Sequence, residues 1–259
     1  MYEGKDELTI IQEDIKRALK RPGAKWAMLL DLRRCVLCHS CTIGCVAEQK
    51  SPPGITYRPV YEEESGNYPA VQRRFTPRPC QQCDKPPCVA ACPNAGENLA
   101  TWKSEKGDSA GIVMINYDQC VGCGRCVIAC PYKARALDKG AFYTEETPKI
   151  EEYEKAPTFE YSKQWPREKY NIPVGVARKC HFCLHRLRKG MLPMCVSTCI
   201  GRVNYFGDPT DAESLIYKVM QANQDKIRVL TAVKGEYPGK APEFAKASAT
   251  QPRVYYIVA

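Results

Sequence analysis

The chain of 259 residues carries 16 cysteines, and they fall into four quartets with none left over. The quartets are Cys35, Cys38, Cys41, Cys45; Cys80, Cys83, Cys88, Cys92; Cys120, Cys123, Cys126, Cys130; and Cys180, Cys183, Cys195, Cys199. The first and third read C-x2-C-x2-C-x3-C. The second, C-x2-C-x4-C-x3-C, and the fourth, C-x2-C-x11-C-x3-C, lengthen one gap and keep both ends. Any fold of this chain has to be built around these positions.

Three cysteines so closely spaced can wrap one corner of a small inorganic cube, each thiolate meeting a different iron. The fourth lies about one helical turn further on and points elsewhere. In two-cluster ferredoxins that cysteine ligates the neighbouring cluster, so such motifs work in pairs. Pro93 and Pro131 directly follow the fourth cysteines of the second and third quartets and complete the C-P signature. The ligand supply is enough for four [4Fe–4S] clusters, which makes the chain a wire for electrons. Disulfides suit small secreted domains, whereas a chain of this length buries a core without staples. Zinc is the nearer rival, because paired C-x2-C units are a common zinc spacing. Zinc does not call for a third cysteine in the same short loop or for the trailing proline.

The formal charge of +9 counts every cysteine as neutral. An oxidised cubane with four thiolates carries roughly −2, so four clusters bring about −8 and leave the loaded protein near neutrality. The basic excess then reads as internal counter-charge, not as a nucleic-acid footprint. No apolar run approaches the length of a membrane span. Met1–Arg21 places Leu8, Ile11, Ile15 and Leu19 at helical spacing, an amphipathic helix expected to pack on its own core or on a partner. No secretory signal is expected, and Arg33–Arg34 is not a twin-arginine signal, since Cys35 stands where an apolar segment should begin. Cluster-bearing cysteines point to assembly in a reducing compartment, with export depending on a partner's signal.

Trp26–Leu32 and Gly111–Tyr117 read as short strands, each feeding a quartet. Strand, cluster loop and short helix therefore repeat along the chain. Pro52–Pro53–Gly54 closes the first unit, and Pro86–Pro87 marks a rigid loop in the lengthened gap of the second quartet. Residues 141–175 are rich in aromatic residues (Tyr143, Tyr153, Phe159, Tyr161, Trp165, Tyr170) and prolines, an ordered surface insertion that covers cluster edges or docks a partner. Thr210-x-x-Glu213 resembles a capping box opening a helix with Leu215, Ile216, Val219 and Met220 on its buried side. Arg253–Ala259 is expected to add an edge strand.

The quartets in this order, with Cys183-x11-Cys195 last, resemble the four-cluster electron-transfer subunits of the dimethyl-sulfoxide-reductase-type molybdopterin oxidoreductases. The stretches Met28–Leu32, Cys88–Pro93 (CVAACP), Cys126–Lys133 (CVIACPYK) and Lys179–Cys195 (KCHFCLHRLRKGMLPMC) carry the likeness, as does Phe206–Asp208 before Pro209. Within the family, the tyrosine-rich insertion and the Cys-x-Phe-Cys-x-His-Arg-Leu stretch are most similar to respiratory arsenate, polysulfide or tetrathionate reductase subunits. The chain departs from the pattern at Val46 and Ile200, where proline is usual, and at Leu37, where glycine is usual. Thr198–Arg202 looks instead like the nitrate reductase β subunit, which replaces one third-quartet cysteine by tryptophan; Cys123 is intact here.

The resemblance implies an α+β fold of two nested bacterial-ferredoxin-like modules, each holding two [4Fe–4S] clusters, with long loop insertions. The outer module would comprise 26–75 and 176–210, the inner one 76–140, flanked by an N-terminal extension (1–25), the insertion (141–175) and a C-terminal helix and tail (211–259). The implied ligand sets are Cys35, Cys38, Cys41 with Cys199; Cys180, Cys183, Cys195 with Cys45; Cys80, Cys83, Cys88 with Cys130; and Cys120, Cys123, Cys126 with Cys92. The implied partners are a molybdopterin catalytic subunit acting on a sulfur or arsenic oxyanion and a membrane quinone-binding or cytochrome subunit. In such complexes the first-quartet cluster faces the catalytic subunit and the third-quartet cluster the membrane subunit. Membrane association would run through partners, on the periplasmic face after co-export or on the cytoplasmic face. The rival relay readings are formate dehydrogenase, nitrate reductase and hydrogenase complexes, and the rival of another class is a zinc-structured binding module.

All three histidines, His39, His181 and His185, lie in the first and fourth quartets. With four cysteines per cube they are surplus as ligands and read as hydrogen-bonding groups that tune potential. Arg186, Arg188 and Lys189 are either a solvated helix face or a basic rim. Gly122-x-Gly124 opens no phosphate loop. No Ser/His/Asp or paired-carboxylate arrangement stands out, so the chain is expected to have no catalytic site of its own.

Overall fold

The computed structural model describes residues 4–168, 171–234 and 242–258. Met1 of the extension, Tyr170 of the insertion and Ala259 of the tail lie outside the described residues. In chain order the elements run α1 (Glu7–Ala18), β1 (Ala27–Asp31), α2 (Ser40–Gln49), β2 (Val60–Ser65), β3 (Gln72–Pro77) and α3 (Pro87–Ala90). Next come β4 (Thr101–Lys103), β5 (Val113–Ile115), α4 (Arg125–Ile128), β6 (Ala136–Leu137), α5 (Glu152–Lys155) and β7 (Ala177–Arg178). The last are α6 (Leu184–Leu187), α7 (Met194–Ser197), β8 (Asn204–Gly207), α8 (Leu215–Ala222), β9 (Ile227–Ala232), β10 (Glu243–Ala245) and β11 (Val254–Ile257). Helices and strands are mixed along the chain, and four of the helices are single turns that carry cysteines or follow them. Among the described residues no helix is long and apolar enough to cross a membrane.

The amphipathic start forms α1, capped by the Asp6 carboxylate, which accepts the Leu8 N–H at 3.0 Å. Its apolar stripe (Ile11, Ile15, Ala18) is buried in the main core, so the helix docks on its own chain. Arg17 and Arg21 hold it to Asp211 and Asp208 before α8. The main sheet has the order β10-β9-β11-β1-β8. Every residue of β1 is buried, as expected of a strand covered on both faces. It pairs parallel to β11 and antiparallel to β8.

Two expectations are corrected by this sheet and its flanking helix. The C-terminal segment is not an edge strand: β11 lies between β9 and β1. Val254, Tyr256 and Ile257 are fully buried, and the Arg253 guanidinium donates from Nε to the Trp26 carbonyl at 2.8 Å, which anchors the strand beside β1. Thr210 does not cap α8. The Asp208 and Asp211 carboxylates take the N–H groups of Thr210 and Glu213 in local turns, and Ser214 accepts the Tyr217 N–H instead. Pro87 likewise opens α3 at its first turn, where its missing N–H costs nothing; the rigid loop ends at Pro86.

The cysteine-bearing helices pack in two pairs, α2 on α7 and α3 on α4. Gly44 makes the first approach possible, since a Cβ there would stand 3.0 Å from Thr198 Cγ2. A short pairing of β6 with β7 returns the chain across the insertion. The insertion is fastened at Glu160 and Trp165, both buried, while Tyr143, Tyr153 and Phe159 remain exposed. Tyr117 meets Tyr161 and Trp165 edge-on beneath it.

Phe206 on β8 is fully buried, stacked on Trp26 and edge-on to Phe182. Phe206→Ala should cost about 3–5 kcal/mol through the cavity it leaves. The check is the urea midpoint of the loaded protein, followed by tryptophan fluorescence.

Candidate functional site

Each quartet begins with the same backbone manoeuvre. The second residue of its first gap is left-handed: Leu37 at φ 56°, Gln82 at φ 49°, Gly122 at φ 66° and Phe182 at φ 55°. Leucine and phenylalanine adopt this region at a steric cost, and such strain concentrates at functional loops. The turn folds each Cys-x-x-Cys segment into a cup. At Gly122 a side chain is excluded outright, because a Cβ would meet the Gly175 carbonyl oxygen at 2.0 Å.

The cups and the short helices gather the thiols into four groups. Cys35, Cys38, Cys41 and Cys199 line one pocket (site 1), closed by Gly201. The Cys45 thiol is surrounded by Cys180, Cys183 and Cys195 (site 2). Cys83 stands among Cys80, Cys88 and Cys130 (site 3). Cys92, Cys120, Cys123 and Cys126 line a second pocket (site 4) with Gly122 and Gly124. The sites follow one another in single file. Cys41 of site 1 lies within electrostatic reach of Cys195 of site 2, and Cys180 of site 2 of Cys80 of site 3. The Arg135 guanidinium reaches both Cys88 of site 3 and Cys126 of site 4.

The electrostatics of these groups call for a polynuclear metal centre. Burial pushes the Cys88 thiol up to about 11 and Cys83 and Cys195 to about 12, with neighbouring thiols adding to the shift. Cys45 and Cys183 are raised further by the same burial. Such thiols stay protonated until a metal displaces the proton. Buried among them are Arg58, Lys179 and Arg135, and none has a carboxylate within 4.0 Å among the described residues. Arg58 donates to Met28 Sδ and Asn204, Lys179 to the Cys180 carbonyl, and Arg135 to Thr101 Oγ1, all neutral acceptors. A fourth buried cation, Arg78, stands beside Cys130 and over the Tyr61 ring. Leaving a buried charge uncompensated costs about 3–5 kcal/mol. A cluster with thiolate ligands supplies the missing anion, so the residues present fit the group. A single zinc fits less well: it needs only four ligands at about 2.3 Å, whereas three cysteines in one short loop with a fourth from another quartet is the ligand pattern of a cubane.

Hydrogen bonds trim the sulfurs. Backbone N–H groups of Val203 and Ala134 donate to Cys199 and Cys130 at 3.3 and 3.4 Å. Gln49 Nε2 donates to Cys183 Sγ at 3.2 Å, and its Oε1 faces His181 Nε2 at 3.1 Å. The Leu184 N–H donates to His181 Nδ1 at 3.0 Å, which leaves Nε2 as the proton-bearing nitrogen. Burial keeps the ring neutral. His181 is therefore an outer support for a sulfur and not a ligand. His185 binds Glu48 at 2.7 Å, and Arg186 and Arg188 are paired to Glu48 and Asp108, so those two arginines form no free basic rim. His39 takes a left-handed backbone at the start of α2. Hydrogen bonding, expected of the histidines, is seen for both His181 and His185, and Gln49 is the link to a sulfur that sequence reasoning missed.

Two outcomes follow from this geometry. Gly122→Ala combines a left-handed backbone with a carbonyl clash and should empty site 4, taking iron from about sixteen to about twelve per chain; iron and sulfide assays read it directly. Stripping the iron with a chelator should unfold the chain as a whole, because it leaves the buried cations facing neutral thiols. Far-UV circular dichroism before and after chelation tests that.

The 4Fe-4S dicluster domain family matches residues 71–149 and 154–209. The chain is 54% identical over 218 residues to the selenate reductase B subunit of Mesobacillus selenatarsenatis, covering 83% of this chain and 72% of that protein. It is 36% identical over 219 residues to the tetrathionate reductase B subunit of Salmonella typhimurium, covering 84% and 71%. The arsenate respiratory reductase iron-sulfur subunit of a Shewanella species is 26% identical over 245 residues, covering 89% and 94%. The chain belongs to this family of iron–sulfur subunits of molybdopterin reductases, and it is an electron-transfer subunit carrying four [4Fe–4S] clusters.

Proposed function

We propose that sites 1 to 4 hold the clusters through the ligand sets that line them. Site 1 would use Cys35, Cys38, Cys41 and Cys199; site 2 Cys45, Cys180, Cys183 and Cys195; site 3 Cys80, Cys83, Cys88 and Cys130; site 4 Cys92, Cys120, Cys123 and Cys126. Sites 1 and 2 would belong to an outer ferredoxin-like module built on 26–75 and 176–210, and sites 3 and 4 to an inner one built on 76–140. The α2–α7 and α3–α4 pairings support this nesting, since each joins the helices of two quartets. When bound, the clusters supply four one-electron sites in a row. The protein's part is to space them, bury the middle pair and leave the ends within reach.

The observation that carries the reading is where thiols meet solvent. Among the described residues Cys38 and Cys123 are the only exposed cysteines, one in each terminal site. Each end is ringed by exposed apolar side chains, Val36 and Ile200 at site 1, Val121 and Ile128 at site 4. Such residues are ordinary contacts for a partner and poor ones for water. The site 1 end would meet a molybdopterin catalytic subunit, and the site 4 end a quinone-binding or cytochrome subunit that associates the complex with the membrane. The periplasmic face, reached by co-export with a partner, is the side this reading favours. The substrate of the catalytic subunit would be an oxyanion of selenium, sulfur or arsenic, selenate being favoured by the likeness to the selenate reductase subunit.

The complex purified through this chain should contain about sixteen irons per copy and a molybdopterin subunit identified by mass spectrometry. Zinc in place of iron, or a chain that reduces substrate unaided, defeats the proposal. Ile200→Glu and Ile128→Glu should each keep full iron yet release a different partner on size-exclusion chromatography. Release of the same partner by both would mean the two ends are not separate docking faces.

A further inference from the structure

Three of the four buried cations beside the thiols are placed with a regularity that charge balance alone does not require; the fourth, Arg78, flanks site 3 alone. Arg58, Lys179 and Arg135 are 1, 0 and 4% exposed. Arg58 faces Cys41 of site 1 and Cys195 and Cys180 of site 2. Lys179 faces Cys180 of site 2 and Cys80 and Cys88 of site 3. Arg135 faces Cys88 and Cys80 of site 3 and Cys126 of site 4. There are three gaps in the file, and each contains one cation that reaches thiols on both sides.

A carboxylate opposite any of them would cancel the effect. Arg178, equally buried, shows the contrast: it is held by Asp138 at 2.8 Å and Glu160 at 2.7 Å. Among the described residues the gap cations have no such partner, and the Nε atoms of Arg58 and Arg135 have no hydrogen-bond acceptor. Their charge is thus turned toward the sulfurs. Each reduction adds a negative charge to a buried site, and two reduced neighbours repel strongly where the dielectric is low. A fixed cation between them offsets that repulsion.

We propose that Arg58, Lys179 and Arg135 are redox-positioning residues, one in each gap, which raise the potentials of the two flanking clusters and allow neighbours to be reduced together. The proposal rests on the four-site assignment above. It concerns the chain's own side chains and is read by potentials, not by turnover.

The test uses the loaded complex. Lys179→Met removes the charge at similar length, Lys179→Arg keeps it, and Arg135→Gln removes the next one. Iron per chain is measured, followed by a redox titration monitored by electron paramagnetic resonance. In Lys179→Met two of the four midpoint potentials should fall, a tenfold loss of reduced form at fixed potential corresponding to about 59 mV for a one-electron couple. Lys179→Arg should restore them. In Arg135→Gln two potentials should again fall, one of them shared with Lys179→Met, because adjacent gaps share site 3. Full iron with unmoved potentials, or an equal shift of all four, overturns the proposal. Should Lys179→Met load poorly, Arg135→Gln decides by the same criterion: a paired shift supports it and none overturns it. A wild-type complex with fewer than four clusters is a failure of the assignment itself, and the iron assay separates that result from a failure of the spacers.

Discussion

Thiols that hold on to their protons and cations that have no carboxylate opposite them are two halves of one electrostatic problem. Burial raises the Cys45 and Cys183 thiols far above their ordinary range, while Arg58, Lys179 and Arg135 sit in the same interior without compensation. Each half is unfavourable alone, and iron resolves both, since thiolate ligation releases the protons and creates the anion the cations need. Much of the architecture serves this exchange. The sheet and α1 supply an ordinary apolar core, but the interior around the thiols is polar, charged and organised by metal chemistry. Coupling of folding to loading is the expected consequence.

Local geometry repeats where the chemistry repeats. Quartets of three different spacings adopt a left-handed residue at the same step of the loop, whether it is Gly122 or the costlier Leu37, Gln82 and Phe182. The strain is maintained because the neighbouring cysteines and short helices over-determine the turn. The long gap of the fourth quartet is absorbed between Cys183 and Cys195 by α6 and a loop, leaving both ends of the motif intact. The insertion is integrated differently. Its Glu160 joins Tyr57 and Arg178 in a fully buried network that also reaches the Gln49 carbonyl, so the segment is tied to the helix carrying Cys41 and Cys45.

The spacing of the cysteines made the cofactor legible, the apolar run Trp26–Leu32 the strand before the first quartet, and the helical spacing of Leu8, Ile11, Ile15 and Leu19 the docking helix α1, because all are governed by neighbours a few residues apart. What stayed hidden was set by distant partners. Nothing in Arg253–Ile257 distinguishes an edge strand from an interior one, since the difference lies in whether β9 covers its free side. Thr210-x-x-Glu213 has a capping pattern, yet Asp208 and Asp211 compete for the N–H groups a cap would need. Lys179 and Arg135 were visible only as basic residues near ligands, as surface lysines and arginines also are. Arg58 lies away from every quartet in sequence, and only the folded chain brings it between two sites. The pairing of thiols across quartets came from resemblance, because spacing alone leaves the partner quartet open.

The position of β11 has a consequence for how the molecule is made. Met28 pairs with Val254 and Leu30 with Tyr256, so the strand that leads into the first quartet finds its parallel neighbour only in a segment that follows all four quartets. A nascent chain on the ribosome can present its early cysteines without being able to seal the layer behind them. The loop of the first quartet is thus backed by its full sheet only once every cysteine of the four quartets has been supplied, which places the sealing of that layer after the arrival of the last ligand.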